Sequence, residues 1–559
     1  MTCRIAGPVL SPSHRSRGFS AAAGSGRLVL RRERRIHKYT RLIDGRSGSI
    51  PLSNSALHYY TVAADSGTGY PLKLSMTPVD REFLWRVSRI PSHGLGLSVD
   101  VYSPDLFELL DALEARGLHY GYLEIFNAAQ PALTLVRQRL SDVLLAYHAE
   151  GLWITQPDWE ATYPVETELV AASAHLRTLG SYWINHECAT KQMAGYSFGT
   201  YLPPLFTLLS AEVTARNIGL AQSGLDRRCG APSGLGPLLL LETPPLTYMG
   251  FGELPMAEFF RRITELTPCG VVLDIGHLWT VYRYSNERRR LVTEFLSEFL
   301  DTFPLERVVE IHIAGLAEQG AGMPTGSLPW WLDAHSAPIP ELLFDMLTQV
   351  LSHSGLTHLK GMALEVDTKA VPHIALEFDR FCERFSRWSG RWNGLCEQTC
   401  SPEEVGVSLT EQPASTRAND HAGANELLRQ YDLYARVMTG ALDPSAAGLA
   451  SPGLEPEAVS VYRRSYLPRE ILEWGGDLRD MFPQTCRLLN RQEIALASFL
   501  EYWFREPRLV EGPYDFFLLK LDCFCDFVDE VMPCAAETVM REVTELRAAF
   551  QAANELVGR

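Results

Sequence analysis

The chain has 559 residues, of which 46% are hydrophobic and 21% are charged, and its formal net charge is −16. This length favours two or three domains, and the acidic balance argues against general nucleic-acid binding, which needs clustered Lys and Arg. No apolar run reaches the roughly 18 residues of a membrane span, and the scattered cysteines form no paired C-x-x-C zinc pattern. We therefore expect a cytoplasmic protein with reduced thiols and neither a nucleic acid nor a membrane as partner.

Residues 1–85 differ in composition from the rest of the chain. They contain the basic stretch "RLVLRRERRIHKY" and the low-complexity stretch "SAAAGSG". The head of the chain lacks the apolar core of a secretory signal peptide. We expect residues 1–85 to be a disordered or poorly structured basic extension.

From about residue 92, short apolar runs alternate with longer segments of helical period. The runs are "GLGLS" (94–98), "GYLEI" (121–125), "LWIT" (152–155), "SYWIN" (181–185), "PLLLLE" (237–242), "GVVLD" (270–274), "RVVEIHI" (307–313) and "GMALEV" (361–366). Strands that alternate with helices in this way predict an α/β fold, a (β/α)8 TIM barrel over residues 86–390. A doubly wound open sheet is the main alternative.

The segments between the runs carry helix signals. In "SPDLFELLDALEARG", Ser103 is the expected N-cap, Pro104 the first helical residue and Gly117 the stop. His148 and His175 fall on segments that we interpret as helical, so we expect structural roles for both histidines.

The strand rhythm ends after residue 390. Residues 391–424 are rich in Ser, Gly, Pro and Asn, which predicts a linker. Segments such as "NELLRQYDLYARVMTG" and "QEIALASFLEYWFRE" then predict an α-helical accessory domain over residues 425–559.

Carboxylates and imidazoles recur at the ends of the predicted strands and in the loops that follow. They are Glu124, His186, Glu187, Glu242, Asp274, His277, His312, Asp333, His335 and Glu365. In a (β/α)8 barrel the active site lies at the C-terminal ends of the strands. Clustered carboxylates repel one another unless a cation lies between them, and His with carboxylate ligands suits Fe, Mn or Zn better than Ca. We therefore predict a divalent metal site there.

Several of these motifs resemble a known family. "GLGL", "LLLETP", "CGVVLDIGHLWTVY", "EIHIAGL", "LDAHSAPIPELLFDML" and "ALEVD" occur in this order over residues 92–388. They resemble the multinuclear non-heme iron-dependent oxidative enzymes (MNIO), the family of the methanobactin synthase catalytic subunit. The resemblance implies a xylose-isomerase-like barrel that holds two or three irons. It also implies O2-dependent modification of a ribosomally made precursor peptide, often at cysteine.

The resemblance also implies roles for individual residues. The implied ligands are His186 or Glu187, Glu242, Asp274, His277, His312, Asp333 and His335, with Glu365 in the family's I-E-W-D position. Asp274 and His312 are the expected catalytic residues. The tryptophans Trp279, Trp330 and Trp331 are the expected lining of a peptide groove, with Trp279 and Trp331 as the substrate contacts.

Some family motifs are incomplete in this sequence. Asp100 follows the first strand where the family has a histidine, and the third run offers Gln156 or Asp158. Leu316 replaces the second histidine of the H-L-A-G-H motif. A single Fe, Mn or Zn ion therefore stays open as an alternative to two or three irons.

Two other functions stay open. "LLLE", "LDIGH", "IHI" and "ALEV" also resemble the wider xylose-isomerase-like barrels, in which divalent cations serve sugar isomerases and enzymes that cleave abasic DNA. The missing histidines also fit a non-catalytic, peptide-binding pseudo-enzyme.

The region after the linker resembles the helical partner proteins encoded beside MNIO enzymes. Tyr462, Arg463, Tyr466 and Leu467 match a Y-R-x-x-Y-L segment, and Phe482, Pro483, Leu488 and Leu489 match an F-P-x-x-x-x-L-L segment. Such partners recruit the leader of the precursor peptide. The resemblance thus implies one chain that fuses catalyst and recruiting domain, with a leader-bearing peptide and O2 as its partners.

Overall fold

The computed structural model describes residues 76–557, except for 160–164, 231–233, 246–249, 285–289, 320–329, 393–416, 450–457, 474–475 and 509–515. Residues 1–75 of the predicted basic extension, and most of the predicted linker, lie outside the described residues. The boundaries of both therefore stay predictions. The strands and helices of the described residues follow in chain order.

The strands are β1 (Gly94–Val99), β2 (Tyr122–Phe126), β3 (Leu144–His148), β4 (Trp183–Glu187), β5 (Thr190–Met193), β6 (Tyr196–Leu202), β7 (Leu238–Glu242), β8 (Gly270–Asp274), β9 (Val308–Ile313), β10 (Leu316–Gln319), β11 (Trp330–Asp333) and β12 (Gly361–Glu365). Eight of them close a parallel barrel in the order β1-β2-β3-β4-β7-β8-β9-β12. The pairs β5-β6 and β10-β11 are separate antiparallel hairpins. The predicted (β/α)8 barrel is confirmed.

The helices of the barrel region are α1 (Pro78–Ser88), α2 (Leu106–Glu114), α3 (Gln130–Arg139), α4 (Val165–Leu179), α5 (Leu208–Cys229), α6 (Met256–Leu266), α7 (Ile275–Tyr284), α8 (Val292–Thr302), α9 (Glu341–Leu351) and α10 (Val371–Trp392). Apolar side chains on these helices and on the outer faces of the strands form the main hydrophobic core. The strands are therefore buried on both faces, as is typical of parallel sheets.

The third strand differs from its prediction. The "LWIT" run is not a strand, because Trp153 adopts a φ of 40°, in the left-handed region that interrupts extended backbone. The strand is instead "LLAYH", which pairs with β2 and β4. His148 therefore ends a barrel strand and is not helical.

Helix α1 lies over the N-terminal end of the barrel. Phe83 and Val87 on α1 form one hydrophobic cluster with Tyr122 and Trp183 on the strands. Arg307 stacks over the Phe83 ring at 4.4 Å and also binds Asp80 at 2.6 Å. The helix begins at Pro78, before the predicted barrel boundary at residue 86, and closes the N-terminal end of the barrel.

Helix α2 begins two residues later than its sequence signal indicates. Asp105, and not Ser103, is the N-cap, and its carboxylate accepts hydrogen bonds from Phe107 N and Glu108 N. A carboxylate also interacts favourably with the helix dipole. Gly117 has a φ of 69°, so the predicted stop lies where the chain leaves the helical conformation.

The C-terminal region is helical. Its helices are α11 (Arg417–Thr439), α12 (Pro444–Ala447), α13 (Ala458–Val461), α14 (Leu467–Leu472), α15 (Leu478–Met481), α16 (Pro483–Arg491), α17 (Ser498–Trp503), α18 (Phe516–Val531) and α19 (Ala536–Val557), with a π-helical turn at Tyr462–Tyr466. Within the part of the chain that is described, no helix is both long and apolar enough to cross a membrane.

The β5-β6 hairpin joins the barrel to this helical region. Its residues Met193, Phe198 and Leu202 belong to the hydrophobic core of the C-terminal helices. The Trp503 indole N–H donates to the Ser197 carbonyl at 2.7 Å. Because only two residues separate the end of β4 from the hairpin, the hairpin connects the C-terminal helices to the mouth of the barrel.

Candidate metal centre

The strands of the barrel bring acidic and imidazole side chains together at their C-terminal ends. The strand residues that contribute are Glu124 on β2, His148 on β3, Glu187 on β4, Glu242 on β7, Asp274 on β8, His312 on β9 and Glu365 on β12. All of them are buried. The register explains the arrangement, because Glu187 pairs with Glu242 and Asp274 pairs with His312 on neighbouring strands.

Glu242 lies at the centre of the cluster. Its Oε2 accepts a hydrogen bond from Asn185 Nδ2 at 2.5 Å and lies 3.3 Å from His148 Nε2. Its Oε1 lies 3.2 Å from His312 Nδ1. Three side chains from three different strands therefore fix the position of this carboxylate.

Two groups of potential ligand atoms share Glu242. Glu242, Asp274, His312 and Glu365 each place one such atom within 4.8 Å of the others, and so do Glu187, Glu242 and His277. Glu242 would therefore serve as a ligand in both groups. The two groups together contain six of the residues predicted as ligands.

Helix α7 and its surroundings orient Asp274 and His277. The His277 backbone N–H donates to Asp274 Oδ1 at 2.5 Å. The His277 ring bonds through Nδ1 to the Thr243 carbonyl at 2.6 Å, so Nδ1 carries the proton. The sequence "LDIGH" therefore ends a strand and begins a helix, and it presents both side chains at the barrel mouth.

His335 lies beside the cluster and is partly buried. Its Nδ1 forms an ion pair with Asp367, and its Nε2 lies 3.5 Å from Glu365 Oε2. The Asp367 carboxylate fixes the orientation of this ring, which is the arrangement that commonly supports a metal-binding histidine. Asp367 was not among the predicted site residues.

Some predicted site residues do not reach the cluster. The His186 ring accepts a hydrogen bond at Nε2 from Leu152 N at 3.1 Å and donates from Nδ1 to the Glu187 carbonyl at 2.8 Å. Both ring nitrogens are thus used by backbone, so the prediction of His186 as a ligand is corrected to a structural role. Burial lowers the pKa of His186 to about 4, so the ring is neutral.

Asp100 and Gln156, which stand where the family has histidines, form hydrogen bonds outside the cluster. Asp100 accepts hydrogen bonds from Tyr102 N at 2.5 Å and Ser103 N at 3.2 Å, which closes a turn. Gln156 Nε2 donates to Thr190 Oγ1 at 2.6 Å at the base of the hairpin.

Of the tryptophans predicted to line a peptide groove, only Trp279 has a described side chain. Trp279 is buried, with its ring 5.3 Å from the Tyr282 ring. The side chains of Asp333, Trp330 and Trp331 lie outside the described residues, so their assigned roles stay predictions.

Two members of the cluster were missed at the sequence level. His148 was placed on a helix, although the apolar "LLAY" before it is a signal for a buried strand. Glu310 is fully buried and lies two residues before His312 on β9. Alternation along a strand puts residues i and i+2 on one face, so "EIHI" carried the signal for an inward-facing Glu310.

The electrostatics reflect an excess of buried negative charge. Burial and the charge of Glu242 raise the pKa of Glu187 well above its usual range. Burial alone would also raise the pKa of Glu242, but His312 and His148 hold it well below that range. Burial would lower the pKa of His312, but Glu124 and Glu242 hold it well above its usual value.

The residues present fit bound divalent cations. Buried side-chain atoms without a hydrogen-bond partner include Glu124 Oε1, Glu187 Oε2, Glu310 Oε2 and Glu365 Oε2. A buried, unpaired carboxylate oxygen is costly unless it binds a proton or a metal. The donor set of carboxylates and imidazoles, without thiolates, suits Fe, Mn or Zn.

Fold and site together define a TIM barrel with a buried carboxylate–histidine cluster that is a candidate metal centre. Residues 124–380 match the family model described as "RiPP precursor modification enzyme MbnB/TglH/ChrH". This match lies within the barrel and confirms the resemblance to the multinuclear non-heme iron-dependent oxidative enzymes.

Two relatives each match about half of the chain. A UPF0276 protein of Paraburkholderia phytofirmans is 28% identical over 268 residues, which are 45% of this chain and 76% of that protein. A UPF0276 protein of Bordetella bronchiseptica is 26% identical over 53% of this chain and 92% of its own length.

Among solved structures, endonuclease IV from Thermus thermophilus aligns with a TM-score of 0.33 at 17% identity, over 53% of this chain and 99% of that chain. A D-tagatose 3-epimerase-like protein aligns with the same TM-score at 12% identity, over 53% of this chain and 98% of that chain. These scores are low, so the fold assignment rests on the order of the eight barrel strands.

Proposed function

We propose that this protein is an iron-dependent enzyme that uses O2 to modify a ribosomally made precursor peptide, with a cysteine as the reacting residue. The observation that carries the proposal is the buried cluster around Glu242, in a barrel that matches the model of a family of precursor-modifying enzymes. Bound iron would supply a position for the substrate thiolate and a means of activating O2.

The residues of the chain have distinct tasks in this proposal. Glu242, Asp274 and Glu365 would hold the cations, and Glu187 with His277 would complete the second ligand group. Asn185 and His148 fix Glu242 through the hydrogen bond at 2.5 Å and the contact at 3.3 Å. Complete burial of Glu242 and Asp274 keeps water away from the reacting groups.

We assign Asp274 and His312 as the residues closest to the reaction. Asp274 is fixed by the His277 backbone N–H at 2.5 Å. His312 lies 3.3 Å from Glu365 Oε1 through Nδ1 and so occupies the centre of the strand ends. Trp279 and Trp331 are the assigned substrate contacts.

The C-terminal helices are the proposed site of peptide recruitment. The motif residues Tyr462, Tyr466, Phe482 and Leu489 are buried in the core of this region. These side chains therefore stabilise the helices rather than contact a peptide. Recruitment would use the surface that they support, next to the β5-β6 hairpin.

The experiment is a reaction of the anaerobically iron-loaded full-length protein with a cysteine-containing precursor peptide encoded beside its gene. After O2 is added, we expect a mass change in the peptide together with O2 consumption. Asp274→Asn should abolish both. His175→Gln is the control, because His175 bonds to Tyr147 and belongs to none of the ligand groups.

Turnover of the peptide without O2, or with Zn2+ as the sole metal, would contradict the oxidative proposal and favour hydrolytic or isomerising chemistry. Peptide binding without any reaction in the iron-loaded protein would instead favour the pseudo-enzyme.

A further inference from the structure

His312 presents its two ring nitrogens to two different sets of carboxylates. Nδ1 forms a hydrogen bond with Glu242 Oε1 at 3.2 Å. Nε2 lies 3.0 Å from Glu124 Oε2 and 3.6 Å from Glu310 Oε1. In spite of these short distances, Nε2 makes no hydrogen bond. His312 Nε2 and the two carboxylates are therefore arranged like ligands of one metal ion and not like a hydrogen-bond donor with its acceptors.

The protonation of the ring follows from the Nδ1 contact. Glu242 Oε1 accepts from Nδ1, so Nδ1 carries the proton. A cation bound at Nε2 would use the lone pair that this nitrogen has in the neutral ring. Nε2 faces the carboxylates of Glu124 and Glu310, so one imidazole nitrogen and two carboxylates converge on one position.

Each of the two carboxylates has one oxygen held and one oxygen unpartnered. The Ser98 hydroxyl donates to Glu124 Oε2 at 2.8 Å, and the Tyr122 hydroxyl donates to Glu310 Oε1 at 2.6 Å. Glu124 Oε1 and Glu310 Oε2 have no partner, although both residues are fully buried. Hydrogen bonds thus fix the orientation of both carboxylates, and each keeps one oxygen available for a partner that no side chain supplies.

We propose that Glu124, Glu310 and His312 Nε2 bind a divalent cation of their own, which we call the deep cation. One atom from each residue lies within 4.8 Å of the others. Glu310 precedes His312 by two residues on β9, so this position lies further toward the N-terminal end of the barrel than the ligand groups around Glu242. Imidazole with two carboxylates suits Mn2+, Fe2+ or Zn2+.

The surrounding hydrogen bonds complete the arrangement. A metal-bound histidine usually donates its other ring N–H to a carboxylate, and metal-bound carboxylates are themselves hydrogen-bonded. Nδ1 of His312 does so to Glu242, while Ser98 and Tyr122 hold the two glutamates. Glu242 thereby connects the deep cation to the ligand groups at the strand ends. The inference does not depend on which reaction those groups catalyse.

The experiment uses the full-length protein, freed of metal with a chelator and reloaded anaerobically with Mn2+ alone. After unbound metal is removed, elemental analysis gives the Mn2+ content per chain. Glu310→Gln keeps the shape of the side chain but removes its charge, and we expect it to bind one Mn2+ fewer than the wild type. His175→Gln is the control, because His175 bonds to Tyr147 and belongs to none of the ligand groups, and it should keep the wild-type count.

Crystals of the Mn2+-loaded wild type provide a second test that does not depend on any variant folding. We expect an anomalous-scattering peak between Glu124, Glu310 and His312. Equal Mn2+ counts in Glu310→Gln and the wild type, or peaks only among Glu242, Asp274 and Glu365, would overturn the deep cation. A peak only at the deep position would support it and contradict the metal centre on which the proposed function rests.

Discussion

The imidazole of His148 lies 3.3 Å from the Glu242 carboxylate, although β4 separates their two strands. Asn185 of that intervening strand donates to the same oxygen, Oε2, at 2.5 Å. Burial by itself would lower the pKa of His148, but the hydrogen bond to Glu242 and the charge of Glu124 raise it to about 9. His148 therefore supports Glu242 and offsets part of the buried negative charge.

Replacement of His148 by Gln should weaken metal binding at Glu242. Loss of a residue that orients a ligand typically reduces metal affinity about 10- to 100-fold. Competition with a chelator of known affinity measures this change with Mn2+. His175→Gln is the matched control, because His175 is a half-buried histidine bonded to Tyr147. An equal loss of affinity in both variants would contradict a specific role for His148.

His186 and Glu187 are neighbours in sequence but should behave in opposite ways. His186→Ala leaves the buried Leu152 N–H without its acceptor, which should lower the free energy of unfolding by about 1–3 kcal/mol while metal content is kept. Glu187→Gln should instead lower metal content and leave the metal-free protein at least as stable. Urea unfolding of the metal-free proteins and elemental analysis measure the two effects. Loss of metal in His186→Ala without destabilisation would restore His186 as a ligand.

The hydrogen bond from Trp503 to the Ser197 carbonyl should control how firmly the β5-β6 hairpin is held. Trp503→Phe keeps an aromatic ring but removes the N–H, and should cost about 1 kcal/mol. Hydrogen exchange across Thr190–Leu202 should then be faster. Tyr502→Phe changes the neighbouring aromatic residue without removing this bond, and should leave exchange unchanged. Unaltered hairpin exchange in Trp503→Phe would show that apolar packing alone holds the hairpin.

Glu470 should make stability depend on pH. Burial raises the pKa of Glu470 from its ordinary value of 4.5 to about 7, despite the opposing charges of Arg469 and Lys191. The folded state therefore keeps the proton to higher pH than the unfolded chain does. The stabilising contribution is present below about pH 4.5 and is lost as pH rises toward 7.

Glu470→Gln has no such proton to lose. The free energy of unfolding of this variant, relative to that of the wild type, should therefore increase between about pH 5 and pH 8, by up to about 3 kcal/mol. Thermal unfolding of the two proteins at each pH measures the difference. Glu473→Gln, at an exposed position on the same segment, should follow the wild type. A constant difference between Glu470→Gln and the wild type would contradict the assignment.

Hydrophobic runs predicted seven of the eight barrel strands, because a buried parallel strand is apolar along its length. The third failed because "LWIT" is as apolar as a strand, and only the backbone at Trp153 shows that it is not one. Because the strand Leu144–His148 was not predicted, His148 was not predicted as a site residue. Apolar content is a local property, whereas pairing with β2 and β4 is not.

Site residues could be predicted from the sequence where they lie at the ends of the barrel strands. Glu242, Asp274, His312 and Glu365 were predicted because each ends or nearly ends an apolar run. His186 could not be separated from Glu187 by position alone, since neighbouring strand residues face opposite sides and the register decides which one faces inward. Glu310 was passed over because it lies within its strand rather than at its end.

The most direct test of the central claim is iron analysis of anaerobically purified protein, by elemental mass spectrometry together with Mössbauer spectroscopy on iron-labelled material. We expect two or more irons per chain, a Mössbauer spectrum that changes when O2 is admitted, and loss of iron in a His312→Ala, His335→Ala double variant. A chain that holds only zinc, or that holds iron with a spectrum indifferent to O2, would contradict it.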